Sequence, residues 1–244
     1  MVQSNAISNA FQEALGIPTW IVGVVLAVVA AFIFLGGVTR IAAVTEKLVP
    51  VMACFYLVGG LVMLIANITN LPHAFALIFE GAFNPQAILG GAVGIGVREA
   101  MRYGVARGVF TNEAGLGSAG IAHAAADAPS AVDQGLYGIF EVFMDTLVIC
   151  SLTALTIICS GIDISFGTKP GSELIMAAFS TVFGEKFSSL FVAVALMLFA
   201  FSTVLGWALY GTRCTQYLFG SKSIRIYQVI FAIIIVVGCV SPID

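Results

Sequence analysis

Residues Gly104 to Ala126 read GVARGVFTNEAGLGSAGIAHAAA, and this stretch decides how the rest of the chain is read. It has the composition of a membrane helix, yet Asn112 and Glu113 stand in its middle, flanked by Gly108, Gly115, Gly117 and Gly120. A glutamate at the centre of a bilayer span costs roughly 2.5–3.5 kcal/mol on insertion scales. Glycine weakens a helix by roughly 1 kcal/mol per residue relative to alanine. A chain that carries both costs at one point is using that point. Broken transmembrane helices with a polar centre form the substrate sites of secondary transporters.

The composition around this stretch sets the class. The chain has 244 residues, 60% hydrophobic and 9% charged, with a mean hydropathy of +1.06. Soluble domains carry about 25% charged residues, so this is an integral membrane protein. The formal net charge of -3 is small and says nothing about nucleic acid, and no basic cluster resembles a nucleic-acid patch. Five cysteines, Cys54, Cys150, Cys159, Cys214 and Cys239, are scattered singly, most in apolar runs. They read as small buried hydrophobes rather than as disulfides or metal ligands. The opening MVQSNAISNAFQ lacks the positive and apolar regions of a signal peptide.

A membrane span needs about 20 apolar residues. Val2 to Leu15 is short and reads as the end of a span. Pro18 to Thr39 is a full span, with Pro18 expected in the first helical turn. Arg40 to Pro50 reads as a charged connector, and Val51 to Leu71 as a second span closed by Pro72. Phe75 to Phe83 is too short to cross and reads as a re-entrant or interfacial helix. Arg98 and Arg102, four apart, put an amphipathic helix before Val109, where the chain enters the membrane again. Gly135 to Gly161, Ser189 to Tyr210 and Ile224 to Val240 are further spans, and Ser172 to Phe183 is a short interfacial helix. Arg40 and Lys47 in one loop and Arg213, Lys222 and Arg225 in another mark the cytoplasmic side, whereas the arginines at 98, 102 and 107 oppose that orientation.

Three constellations carry chemistry. In Phe110-Thr111-Asn112-Glu113-Ala114-Gly115, the polar residues either cap a helix beginning at Ala114 or line an unwound mid-membrane segment. In the second case a half-helix N-terminus favours an anionic group and exposed carbonyls favour a cation, which together suit a zwitterionic amino acid. Ser202 and Thr203 are adjacent hydroxyls deep in an apolar span. Each either bonds back to a carbonyl one turn earlier or offers oxygen to a hard cation. Trp207 stands one turn beyond Thr203 on the same face, where it can wall a site. Glu141 and Asp145, spaced i, i+4, can relay protons, hold a cation, or pair with arginines. His73 and His123 are isolated, and HExxH, GxSxG and P-loop patterns are absent.

GVARGVFTNEAGLGSAGIAHAAA resembles the signature of the alanine or glycine:cation symporters (sodium:alanine symporters). FAFSTVLGWALYG, QGLYGIFEVFMDTLVIC and the early QSN fit the same pattern, and the resemblance runs over essentially the whole chain. It implies an all-α polytopic membrane protein of the amino acid–polyamine–cation superfamily, built on two inverted five-helix repeats, with a broken helix around residues 108–117. It also implies that residues 1–244 form a single transmembrane transporter domain that is incomplete. The chain would be an internal piece, from the end of core helix three to helix nine, with the first two and the last helices outside it and supplied, if at all, by a separate chain. Such a piece alone is expected to be inactive and poorly stable.

The function implied is sodium-coupled symport of a small neutral amino acid, alanine or glycine, in the plasma membrane of a prokaryote. By resemblance, Phe110, Thr111, Asn112, Glu113, Ala114, Gly115 and Gly117 line the amino-acid site. Thr203, Trp207 and Gln3 add to it, and Ser202 with Thr203 holds Na⁺ as coupling ion, with no other cofactor. A proton-coupled amino-acid transporter is the alternative. An intramembrane metal-dependent hydrolase using Glu113, Glu141 or Asp145, and a pore, are weaker readings: two lone histidines offer no metal set, and polarity concentrates at discontinuities rather than along one helix face.

Overall fold

The computed structural model describes residues 1–83, 95–162 and 171–241, with side chains described outside residues 81–83 and 95–100. The described residues are helical, with no strand among them. Among the described residues, four helices are long and apolar enough to cross a membrane: Gly37–Ala66, Ala131–Cys159, Glu185–Phe219 and Ser223–Val240. The expected all-α polytopic membrane protein is therefore what the chain forms. Two compact units divide it, Met1–Gly59 with Phe166–Asp244, and Gly60–Ser165.

The first unit begins with α1 (Val2–Leu15) and α2 (Thr19–Phe34). Pro18 is the N-cap of α2, with φ −57° and ψ 136°, so it lies just outside the helix and not in its first turn. Its fixed φ and its bias on the preceding residue end one element and start the next. α2 turns at Gly36-Gly37 into α3 (Gly37–Ala66), and Gly37 takes φ +78° there. The charged stretch Arg40 to Pro50 is therefore helix and no connector. Arg40 folds back, donates from Nη1 to the Phe32 carbonyl at 2.8 Å and lies 4.8 Å over the Phe32 ring. That carbonyl is in the last turn of α2, where intrahelical donors run out.

In the same unit, α9 (Ser172–Phe183) matches the short helix read from sequence. α10 (Glu185–Phe219) and α11 (Ser223–Val240) follow. (The labels α4 to α8 belong to the second unit.) Ile7, Leu26, Ala30, Phe34, Leu205 and Ile235 anchor a continuous apolar core among α1, α2, α10 and α11. Small residues let these helices approach. A Cβ added at Gly23 would sit 2.9 Å from the Cys239 Cβ. Close backbone approach of this kind drives helix association where lipid removes the hydrophobic force. Polar bonds cross the same seam: Ser8 Oγ donates to the Cys239 carbonyl at 3.0 Å, and Gln228 Nε2 to the Phe34 carbonyl at 2.9 Å. The outer faces of α2 and α11 are apolar and exposed, including Val25, Val28, Phe32, Ile226, Val229 and Ile233. Exposed apolar faces of that extent belong against lipid.

The second unit holds the end of α3, a 3₁₀ turn Ile68–Asn70 and α4 (Leu71–Phe83). Pro72 thus opens a helix; α3 has already ended at Ala66. Then come α5 (Ile95–Thr111), the short α6 (Ser118–His123) and α7 (Ala131–Val142). A π-helical segment, Phe143–Cys150, continues directly into α8 (Ser151–Cys159). Asn70 Nδ2 donates to the Cys159 carbonyl at 3.0 Å and ties the 3₁₀ turn to the end of α8. The amphipathic pair read at Arg98 and Arg102 lies partly outside the described side chains, since nothing is described for that of Arg98.

Candidate functional site

α5 stops at Thr111 because the next residues close a left-handed cap. The Ala114 amide donates to the Val109 carbonyl at 3.0 Å, and the Glu113 amide to the Phe110 carbonyl at 3.3 Å. These two bonds form a Schellman motif, whose C′ position requires positive φ and is usually glycine. Here the position is Glu113, with φ +50°, the one described non-glycine residue with positive φ. A left-handed conformation costs an L-residue about 1–2 kcal/mol. Gly115 and Gly117 follow at φ +78° and +79°. A Cβ at either would meet nothing within 4 Å, so the backbone turn, and not crowding, calls for glycine at both.

Glu113 is half-buried, and its Oε2 accepts from Ser118 Oγ at 2.6 Å. That bond spans the break, from the cap of α5 to the first residue of α6. The break is consequently only part unwound. The amides of Asn112, Glu113, Ala114 and Leu116 are all bonded. The carbonyls of Thr111 and Asn112 accept no backbone hydrogen bond among the described residues. Phe110 and Thr111 belong to the last turn of α5, exposed like Ala114, Gly115 and Gly117.

Asn112 joins the break to a second discontinuity. Its Nδ2 donates to the Gly108 carbonyl at 3.1 Å, and its Oδ1 accepts from Thr146 Oγ1 at 3.1 Å. Thr146 sits in the π-helical segment Phe143–Cys150. π-helical turns are rare and concentrate at functional sites. Asp145, the neighbour of Thr146, has an Oδ2 that is shielded from solvent and has no hydrogen-bond partner. Glu141 does not share this environment. It is exposed, with Oε2 3.8 Å from His123 Nε2, while His123 Nδ1 meets Gln134 Nε2 in a short contact. The i, i+4 carboxylates thus part company.

The residues read from the later span lie in the first unit. Ser202 Oγ and Thr203 Oγ1 both donate to the Phe199 carbonyl, at 2.7 Å and 3.1 Å. Back-bonding is the arrangement membrane Ser and Thr adopt when nothing else competes. It consumes each hydroxyl proton and leaves the oxygen lone pairs available to a cation. Trp207 is exposed on the Thr203 face and meets Tyr210 edge-on at 5.7 Å. Gln3 is half-buried on α1. No hydrogen bond joins Gln3 to Ser202 or Thr203 among the described residues. No cluster of three or more His, Cys, Asp or Glu that could hold a metal ion occurs among the described residues either.

Three contributors were not read from the sequence. Ser118 and Thr146 are ordinary hydroxyls in apolar surroundings, and the π-helical segment FMDTLVIC contains neither glycine nor proline to betray it. The one available signal was the Asp145-Thr146 pair inside an apolar run.

A helix broken by a strained polar cap inside a polytopic membrane protein is what comparison with known proteins must explain. Residues 1–244 match the sodium:alanine symporter family throughout. The chain belongs to that family. A sodium/alanine symporter from Methanococcus maripaludis is 41% identical over 236 residues, covering 96% of this chain and 51% of the relative. An uncharacterized transporter from Haemophilus influenzae is 39% identical over 236 residues, covering 97% and 52%. A sodium/proton-dependent alanine carrier protein from Bacillus sp. strain PS3 is 36% identical over 216 residues, covering 83% and 47%. The chain spans about half the length of the curated relatives it matches. The family and these relatives are transporters and not enzymes, which sets the hydrolase reading aside. A multi-pass protein of the plasma membrane is the consistent placement.

Proposed function

We propose that this chain carries half of the machinery of a secondary active symporter that couples Na⁺ entry to uptake of a small neutral amino acid, alanine or glycine. The single observation that carries the reading is the break between α5 and α6, where Glu113 is held left-handed and bonded to Ser118. A strained, polar, partly capped backbone inside a membrane protein is the kind of discontinuity around which transporter sites are built.

Within that reading, Phe110 to Gly117 forms one wall of the amino-acid site. The carbonyls of Thr111 and Asn112, which accept no backbone hydrogen bond among the described residues, offer acceptors to the ammonium end of the solute. Ser202 and Thr203 supply oxygen ligands to Na⁺, a hard cation that accepts hydroxyl lone pairs. Trp207 and Gln3 are further contributors in this reading, on the strength of the family alone. The small residues from Gly115 to Ala126 suit close helix packing around a small solute. Alternating access is the mechanism: one bundle of the inverted repeat rocks against the other around the held solute. The alternative, coupling to protons rather than to sodium, is favoured by one specific feature, the Asp145 Oδ2 that is shielded and without a hydrogen-bond partner among the described residues, taken up below.

The test is uptake of labelled alanine and of labelled glycine by proteoliposomes holding the whole protein, with sodium, potassium or a proton gradient imposed in turn. Saturable uptake that requires sodium supports the reading. Saturable uptake that ignores sodium and follows the proton gradient replaces it with the alternative, and unsaturable flux replaces it with a pore.

A further inference from the structure

Asp145 stands out among the acidic groups of the second unit. Its Oδ2 is shielded from solvent and meets no donor among the described residues. Three other acidic groups of this unit are engaged: Glu113 with Ser118, Asp133 with Ser130, and Glu141 with His123. Cys150 stands five residues on along the same π-helical segment. A carboxylate oxygen shielded from water and left without a donor pays a desolvation cost that a proton on the group would offset. Intramembrane carboxyls placed in this way mark proton relays in pumps and transporters.

The position of Asp145 links that proton to the solute site. Its neighbour Thr146 donates to Asn112, the first residue of the break. Both belong to the π-helical segment Phe143–Cys150, an irregular ladder that can shift register without unravelling the helix on either side.

We propose that Asp145 is the proton-carrying residue of this transporter: protonated in the described conformation, and opened to water when movement of the break pulls on Thr146 through Asn112. On opening, the Asp145 O–H bond breaks, the electron pair stays on the carboxylate, and the proton passes to water. Closing reverses the step. This assignment rests on the amino-acid symport reading above and adds to it a second coupled ion and its carrier.

The experiment uses the whole protein in liposomes that enclose a pH-reporting dye, with a sodium gradient imposed and alanine added. The wild-type protein is expected to move protons when alanine is added and to show an uptake rate that varies with pH. Asp145→Asn, which mimics the protonated side chain, is expected to lose both the proton signal and the pH dependence while still taking up alanine down the sodium gradient. Asp145→Glu is expected to restore both. Uptake by the wild-type protein without proton movement overturns the assignment alone, as does an Asp145→Asn protein that keeps the wild-type pH profile. Absence of amino-acid uptake by the wild-type protein overturns the symport reading itself. Infrared difference spectra of the wild-type protein on alanine addition serve if the Asn variant does not fold. A protonated-carboxyl band that falls as carboxylate bands rise supports the proposal, and its absence overturns it.

Discussion

Thr146 Oγ1 donates a 3.1 Å hydrogen bond to Asn112 Oδ1, so a π-helical segment is tied to the first residue of a broken helix. Two irregular backbones, 34 residues apart in sequence, share one polar contact. If that contact links them energetically, Asn112→Ala and Thr146→Val should not be additive. Hydrogen bonds between membrane helices average about 0.6 kcal/mol in such cycles. A double-mutant cycle on thermal stability, with the whole protein in detergent, should give a coupling of about that size. A coupling of zero would mean that the contact is incidental.

Glu113 is a second point where stability can be read. At φ +50° any L-side chain carries strain, and glycine does not. Glu113→Ala keeps the strain and loses the bond from Ser118, whereas Glu113→Gly loses the bond but relieves the strain. The glycine variant should therefore be more stable than the alanine variant by about 1 kcal/mol. Both should lose sodium-driven alanine uptake if the carboxylate shapes the solute site. Thermal melts of the two proteins side by side decide the first point. An alanine variant as stable as the glycine variant would remove the case for strain at the break.

The break could be seen in the sequence because glycine and a charged residue are conspicuous in an apolar run. Helix Ser172–Phe183 was legible for a related reason: its edges are marked by Gly171 and Gly184. Arg40 to Pro50 has the charge expected of a loop, yet it is helix. Charge does not break a helix; it only ends the apolar run. Arg40 finds its partner in the preceding helix, and Pro50 is carried inside α3. The π-helical segment carries no glycine or proline to mark its irregular backbone; only the Asp145-Thr146 pair hints at it. The partners of Glu113 and Asn112 are likewise set by three-dimensional proximity, which one-dimensional spacing does not encode.

The close seam between α2 and α11 predicts which glycines matter. A Cβ at Gly23 would lie 2.9 Å from the Cys239 Cβ, whereas one at Gly206 would meet nothing within 4 Å. Gly23→Ala must push two helices apart and should destabilise by roughly 1–3 kcal/mol, the range for overpacking. Gly206→Ala should be neutral or slightly stabilising, since alanine is the better helix former. Melting temperatures of the two variants check this, and equal tolerance at both positions would count against the packing described for the first unit.

Ser202 and Thr203 give the most direct test of the ion site. Both hydroxyls donate to the Phe199 carbonyl, so removing either hydroxyl leaves no buried donor stranded in the helix. Thr203→Val keeps the side-chain shape and removes only the oxygen. Its effect on folding should accordingly be small, because a back-bonded hydroxyl contributes little to an already complete helix. Its effect on sodium should be large if the oxygen is a ligand. Loss of about 1.4 kcal/mol of ion binding raises the half-saturating sodium concentration roughly tenfold. Ser202→Ala should act in the same direction. The measurement is the sodium dependence of alanine uptake at saturating alanine, with protein levels and melting temperature followed in parallel. A Thr203→Val protein with normal stability and unchanged sodium dependence would exclude Thr203 as a ligand and leave its hydroxyl with the Phe199 carbonyl as its only role.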